Sequence, residues 1–405
     1  MKKKLEYKIG QEPSSNSTMK TIQFIQSKYE FMNNTILNEV LFKEKGRKDY
    51  SPVNPSTLYI EVRQAGLRTT VGEINTFLSS DYVPSKDPLN DYFESVKNLW
   101  ISQEHGDYIE KFSSYIRVKN QERFAVQFKK WLVRCVACVL IDDNFNKQAL
   151  IFVHDQQNSG KTTLTRFIVP PALNDYQVEN ISTDKDSLIS LCQNFIVIQD
   201  ELSTLSKTEV NAQKSLMSKA YIKVRHPYDR RPKMEPRRAS IIGSTNKADF
   251  LTDETGTVRW LCFTIEEIDW NYKSEIDINL VWSQAYHLFQ SDFKCEMTAK
   301  EIAENEQSNN QYRTLNVEME LILKYYSQGT KEDNDIFYTS TDICENLTTN
   351  TEGKLKINPV EIGKALKTLG FVQSQKRGYE DQQFPVKGYY IKLNNLTTYY
   401  NQDKH

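Results

Sequence analysis

The sequence predicts an α/β fold built around a parallel sheet, and three observations carry that expectation. Four runs of continuous apolarity, Leu150-Ile-Phe-Val153, Phe195-Ile-Val-Ile198, Ala239-Ser-Ile-Ile-Gly-Ser-Thr245 and Arg259-Trp-Leu-Cys-Phe-Thr-Ile265, are separated by helical lengths of chain, the pattern of strands covered on both faces. The first run passes through a polar loop into Ser159-Gly160-Lys161-Thr162-Thr163 and the opening of a helix. The second ends in Asp200-Glu201 and the third at Asn246, which would set polar groups at the carboxyl edge of the sheet, where ligands of such folds bind.

The elements follow in chain order. Residues 1–20 are Lys-rich and Ser/Asn-rich without periodicity, and read as a flexible basic tail. Residues 21–120 form a mixed N-terminal domain: strand-like stretches at Tyr29-Glu-Phe-Met, Leu41-Phe and Leu58-Tyr-Ile-Glu-Val, then helical patterns around 67–78 and 88–100. A further helical pattern at 121–141 opens the α/β core, 121–295, which closes on the helix of Trp282 to Phe289. Residues 296–317, with the polar stretch Glu301 to Asn310, are a linker or an exposed helix. Over 318–405, a helix from Met319 to Tyr326, a Thr339-Ser-Thr-Asp cap, a helix from Pro359 to Leu369 and a terminal two-stranded hairpin predict a winged helix-turn-helix.

Composition narrows the function classes. With 52 Lys+Arg against 53 Asp+Glu in 405 residues, any affinity for nucleic acid must be local. No run of 18 apolar residues exists and Met1-Lys2-Lys3-Lys4 lacks the apolar core of a signal peptide, so the expectation is a cytoplasmic protein with no membrane span. Six cysteines are too few for a disulfide framework, and the lone Cys135-Val-Ala-Cys138 falls in an apolar helix, where packing is the simpler reading than zinc.

The chemistry concentrates in the first loop. Backbone N–H groups around phosphate, an ammonium on the β and γ oxygens and a hydroxyl on Mg²⁺ are what a nucleoside triphosphate requires. Gln157, Asn158, Ser159, Gly160, Lys161, Thr162 and Thr163 could supply them, with ATP and Mg²⁺ as the expected ligands. The loop departs from the usual glycine pattern at Asp155 and Asn158. Asn and Asp tolerate positive φ, but a carboxylate facing triphosphate is repulsive, so Asp155 should point away. Asp200 would help Thr162 hold the metal, Glu201 would deprotonate or orient the attacking water, and Asn246 would position it. A ligand-free helix start and a solvated Asp-Glu pair are the plainer readings of each segment taken alone.

As an ordered set, Gln157-Asn-Ser-Gly-Lys-Thr-Thr163, Ile198-Gln-Asp-Glu-Leu202, His226-Pro-Tyr-Asp-Arg-Arg231, Gly243-Ser-Thr-Asn246 and Thr255-Gly-Thr-Val-Arg-Trp260 resemble the AAA+ P-loop ATPase core of superfamily 3 helicases. The nearer resemblance is to the virulence-associated E (VirE-like) proteins of phages and mobile elements, over about residues 90–290. The resemblance implies a ring, most often a hexamer, with Asn246 as sensor and Arg259 as a finger reaching a neighbour's γ-phosphate; Arg237 and Arg238 are rival candidates for the finger. It also implies that the segment before Asn246 enters the ring channel as a hairpin.

That segment, Lys223 to Arg238, holds seven cations against two anions, with three prolines that exclude a plain helix. Lys223, Arg225, Arg230, Arg231 and Lys233 would grip single-stranded phosphates, and His226 and Tyr228 could stack on bases. In the C-terminal part, Lys364 and Lys367 of the recognition helix and Lys376 and Arg377 of the wing are candidates for duplex DNA, although winged helices also bind protein. The favoured expectation is an ATP-driven DNA helicase or replication initiator working with a separate primase, since no primase carboxylate cluster is evident. The alternatives are an ATP-switched DNA-binding or assembly protein that unwinds nothing, and a defence or signalling NTPase.

Overall fold

A computed structural model describes residues 17–156, 158–182, 184–202, 207–226, 230–251, 257–352, 354–379 and 384–394. The sixteen N-terminal residues, most of the expected tail, lie outside the described residues; Ser17–Lys28 is helical. The chain divides into two units, one comprising residues up to Asn246 together with Val258–Asn305, the other Lys247–Thr257 with the chain from Glu306 onward.

The first unit begins with a four-stranded sheet ordered Ser51–Pro52, Glu39–Glu44, Tyr29–Asn34, Ser85–Lys86. Its small core joins Ile25, Phe31, Leu58, Val62 and Phe77. The strand expected at Leu58 is instead the helix Pro55–Gln64. Asn54 caps it by accepting from Ser56 N and Thr57 N, Pro55 occupies its first turn, and Leu58 and Val62 share its buried face. Local start signals and the four-residue spacing outweigh the β-branched composition. Leu89, Phe93, Ile109 and Phe112, counted above with the N-terminal domain, pack into the main core with Phe128, Trp131 and Trp282.

The main sheet has six strands in the order Ile116–Val118, Trp260–Ile268, Ala149–Val153, Ser240–Thr245, Ile196–Gln199, Gln177–Glu179. All neighbours are parallel except Ile116–Val118, which pairs antiparallel with Trp260–Ile268. The four expected strands are therefore present in an α/β arrangement; Arg259 itself sits in the 3-10 turn just before Trp260. The two additional strands, at the sheet's edges, have three residues each. Ala149–Val153 and Ser240–Thr245 are buried along their whole lengths, the burial anticipated by a pattern that does not alternate between apolar and charged residues. The 20-residue helix Gln121–Leu140, capped by Asn120, covers the sheet with Phe124, Phe128 and Trp131. Cys135 and Cys138 of that helix are buried, and the Cys138 thiol donates to Arg237 O.

Register brings the carboxyl ends together. Thr245 pairs with Val153 and Gly243 with Gln199, so the residues after these three strands emerge at one edge. Gly243 permits the close approach: a Cβ there would lie 2.7 Å from Gln199 O and 2.8 Å from a Leu202 methyl.

The helix Ala299–Asn309 occupies most of the segment read as linker or exposed helix. In the second unit, Phe250 N and Leu251 N donate to Tyr312 O. Helices Val317–Tyr325, Ser340–Asn350 and Pro359–Thr368 enclose Ile322, Ile343, Leu347, Ile362 and Leu366. Thr339 caps the second of them in a capping box with Asp342. The expected terminal hairpin is present as Gln373–Lys376 against Val386–Leu393, but Tyr326–Gln328 and Ile336–Tyr338 also pair with Val386–Leu393, making a four-stranded sheet. Three-residue strands leave too short a pattern to read. Among the described residues no helix is long and apolar enough to cross a membrane.

Candidate functional site

A cavity of about 390 Å³ lies at the carboxyl edge of the main sheet, lined by Asn158 through Thr163, Asp200, Glu201, Asn246 and Trp270. The structure thus gathers residues from three strand ends and the turn following a fourth. Gln157 lies outside the described residues.

Among the described residues of the loop from His154 to Gly160, two have positive φ, Asn158 at 59° and Gly160 at 87°. Lys161 opens the helix Lys161–Phe167 and is 5% exposed. Its ammonium donates to His154 O at 3.1 Å, Gln156 O at 3.0 Å and Ser159 Oγ at 2.9 Å. Burial pulls its pKa down, while the carboxylates of Asp200 and Asp155 pull it back up. The ammonium therefore braces the loop and is available, by exchanging carbonyl partners for phosphate oxygens, to an anionic ligand. Asp155 is turned outward as expected: its carboxylate is 92% exposed, 3.2 Å from His154 Nδ1, and does not line the cavity. Gln156 N also donates to His154 Nδ1.

Asp200 is held at both oxygens. Thr162 Oγ1 donates to Oδ2 at 3.0 Å, Glu201 N donates to Oδ1 at 3.1 Å, and Ser244 Oγ also donates to Oδ1. Its own N–H donates to Asn180 Oδ1. A hydroxyl and a carboxylate in contact are hard oxygen donors of the kind Mg²⁺ takes alongside phosphate and water, so the pair Thr162 and Asp200 fits the metal. Glu201 follows at φ 52°, an uncommon conformation for a non-glycine residue that costs on the order of 1 kcal/mol and clusters at functional sites. Ser244, 2% exposed, and Trp270 had not been anticipated. Ser244 lies in a strand buried along its whole length, so no alternation marks it out, and Trp270 follows the last strand with no spacing to mark it.

The cationic segment is a two-stranded antiparallel hairpin, Tyr221–Val224 paired with Lys233–Pro236. Lys223, Arg225, Arg230, Arg231 and Lys233 are exposed, while Pro227, Tyr228 and Asp229 lie outside the described residues. His226 Nε2 contacts Glu235 Oε1 at 2.8 Å, with only 12% of the imidazole exposed, so stacking on a base would first require breaking that pair. The rival fingers are committed elsewhere. Arg237, 1% exposed, donates to Lys219 O, Ala239 O, Asn146 O and Met217 O. Arg238 donates to Val139 O and pairs with Asp142. Arg259 is half-buried, its Nε donating to Ser218 Oγ at 2.9 Å.

Within the second unit, Lys364 and Lys367 are exposed on Pro359–Thr368 and line a groove of about 770 Å³ with Arg313, Glu306 and Glu361; Lys364 pairs with Glu361 at 2.7 Å. Lys376 lies over the Phe337 and Tyr379 rings, and Arg377 is exposed.

Residues 95–314 match the virulence-associated protein E-like domain family. Among solved structures, the apo form of the NrS-1 C-terminal region is similar, with a TM-score of 0.52 at 12% identity, over 94% of this chain and 100% of that one. A second structure, the A form of the same region, aligns at a TM-score of 0.47 and 13% identity over 92% of this chain and 98% of that one. No curated protein matches.

Proposed function

We propose, for a chain that belongs to the virulence-associated protein E-like family, that the cavity binds and hydrolyses ATP and that hydrolysis drives a ring-forming DNA helicase or replication initiator of a phage or mobile element. The observation that carries this is the convergence of Lys161, Thr162, Asp200, Glu201 and Asn246 on one cavity. Strand order supports an AAA+ core as the sequence resemblance implies: the strand leading to Asn246 lies between those leading to the phosphate loop and to Asp200, and Asn246 lines the same cavity.

Each residue has a task in this reading. Lys161 exchanges loop carbonyls for β and γ oxygens, and the loop N–H groups around Gly160 wrap the phosphates. Thr162 and Asp200 hold Mg²⁺, which when bound neutralises phosphate charge. Glu201 takes the proton of the attacking water, whose place Asn246 fixes. Arg259 would leave Ser218 to stabilise charge in a neighbouring subunit, in a ring that is most simply a hexamer. The exposed cations of the hairpin would hold single-stranded DNA by its phosphates. The C-terminal unit, as a winged helix-turn-helix, would meet duplex DNA through Lys364, Lys367, Lys376 and Arg377, and priming would fall to a separate protein.

ATP hydrolysis measured with and without single-stranded DNA, followed by strand displacement on a forked duplex, tests the reading in wild type and Lys161→Ala. DNA-stimulated hydrolysis with displacement, both lost in the variant, is the expected result. ATP-dependent DNA binding without displacement would leave a nucleotide switch in place of the motor. No ATP binding or turnover in the presence of Mg²⁺ would overturn both.

A further inference from the structure

Of five tryptophans, Trp131, Trp260 and Trp282 are sealed in the core, whereas Trp270 is 47% exposed. A single exposed aromatic is ordinary; this one lines the cavity that holds Lys161 and Asp200. Every other described side chain around that cavity is polar or charged, suited to phosphate, metal or water. A nucleoside triphosphate also has one flat apolar part, the base, and among the described lining residues Trp270 alone carries an aromatic ring.

The indole is held in place. Asp269 N donates to Tyr115 O at 2.8 Å and Asn271 N to Asp269 Oδ1 at 3.0 Å, fixing the turn on either side. Tyr272, fully buried, anchors the next turn of chain, its ring 6.3 Å from that of Trp270 and inclined by 26°. Lys273 Nζ stands 4.5 Å from the indole centroid. The ring also lies directly on the phosphate loop, since a Cβ added to Gly160 would come within 2.4 Å of Trp270 Cη2. The benzo edge of the indole and the phosphate-binding loop are thus adjacent.

We propose that Trp270 is the stacking platform for the base of the bound nucleotide. The inference rests on the cavity being a nucleotide site, and it assigns the half of the ligand that the loop does not. Stacking on an aromatic side chain depends on the area of the π face and tolerates sequence changes in the base, so purine nucleotides are held more tightly than pyrimidine nucleotides.

The test uses the full chain as wild type, Trp270→Ala and Trp270→Phe, with binding of ATP, CTP and inorganic tripolyphosphate each titrated in Mg²⁺. Trp270→Ala is expected to weaken ATP at least fivefold and erase the preference for ATP over CTP, with tripolyphosphate changed less than twofold and Trp270→Phe restoring most of the loss. An unchanged or tighter ATP affinity in Trp270→Ala would overturn the proposal, the tighter case making Trp270 a plug over the loop. An equal loss for tripolyphosphate would also overturn it, by making the indole a support of the loop alone. Wild type that binds tripolyphosphate but shows no preference for ATP removes the platform and leaves the phosphate site. Wild type that binds neither removes the nucleotide site itself, and the platform with it.

Discussion

Replacing Arg237 by Met separates a structural arginine from a catalytic one. The guanidinium serves four carbonyls, Ala239 O and Asn146 O at 2.7 Å, Lys219 O at 3.1 Å and Met217 O at 3.4 Å. These acceptors belong to the chain entering the hairpin, the chain leaving it and the segment before the Ala149–Val153 strand. Two of the bonds are short and a third is of ordinary length, and each buried carbonyl left unpaired costs about 1–3 kcal/mol. Removing the ion recovers part of this, because burial already pushes the Arg237 pKa down and a desolvated charge is itself expensive. The net expectation is a loss of about 3 kcal/mol, which in a unit of this size lowers the first thermal transition by roughly 6 °C. Thermal unfolding followed by circular dichroism measures it, with ATP hydrolysis assayed well below the transition. A fall of less than about 2 °C accompanied by abolished hydrolysis would refute the structural assignment and return Arg237 to candidacy as the finger.

Other consequences can be checked alongside. Ser244→Ala removes one of three donors to Asp200 and should raise half-saturating Mg²⁺ for hydrolysis about tenfold, leaving the rate at saturating metal within about threefold; an unmoved Mg²⁺ midpoint would mean that Asp200 needs no help from Ser244. Asp155→Gly should change the KM for ATP by less than about threefold and cost about 0.5–1 kcal/mol of stability, because the added freedom lies in the unfolded chain; a gain in affinity of tenfold or more would mean that the carboxylate reaches the phosphates. Burial pushes the Glu301 carboxyl up, but Lys130 and Thr298 outweigh it and hold the pKa at about 2. A depressed carboxyl stabilises the fold above its unfolded value and loses that contribution as pH falls toward 2, so Glu301→Gln should flatten the melting temperature between about pH 5 and pH 3. An equally steep acid dependence in the variant would assign that sensitivity to other carboxylates.

Most of the main sheet was legible because four of its strands are buried on both faces and so carry unbroken apolar runs, Leu150 to Val153 among them. Lys161, Asp200 and Asn246 were legible for a related reason: each follows such a run, and parallel strands send their carboxyl ends to one edge. What escaped was set by tertiary pairing. Ile116–Val118 and Tyr326–Gln328 are three residues long, shorter than any periodicity can register. Leu58 looked like strand because tyrosine, isoleucine and valine crowd around it, and became helix because Asn54 and Pro55 start one there. The ties of Arg237 were invisible for a third reason, since its partners are backbone carbonyls, groups common to every residue.

The altered glycines of the phosphate loop follow the same physics. Asp155 is absent from the residues of positive φ, so the backbone has no need of glycine there. Asn158 does take φ 59°, but its side chain is exposed, and asparagine is one of the residues that visits this region at small cost. Gly160 is different on two counts: its φ is 87°, and the space a Cβ would fill is occupied by the Trp270 ring. Asparagine could meet the first demand but not the second. Of the three positions, glycine therefore stands at the one where a positive φ coincides with packing that leaves no room for a side chain.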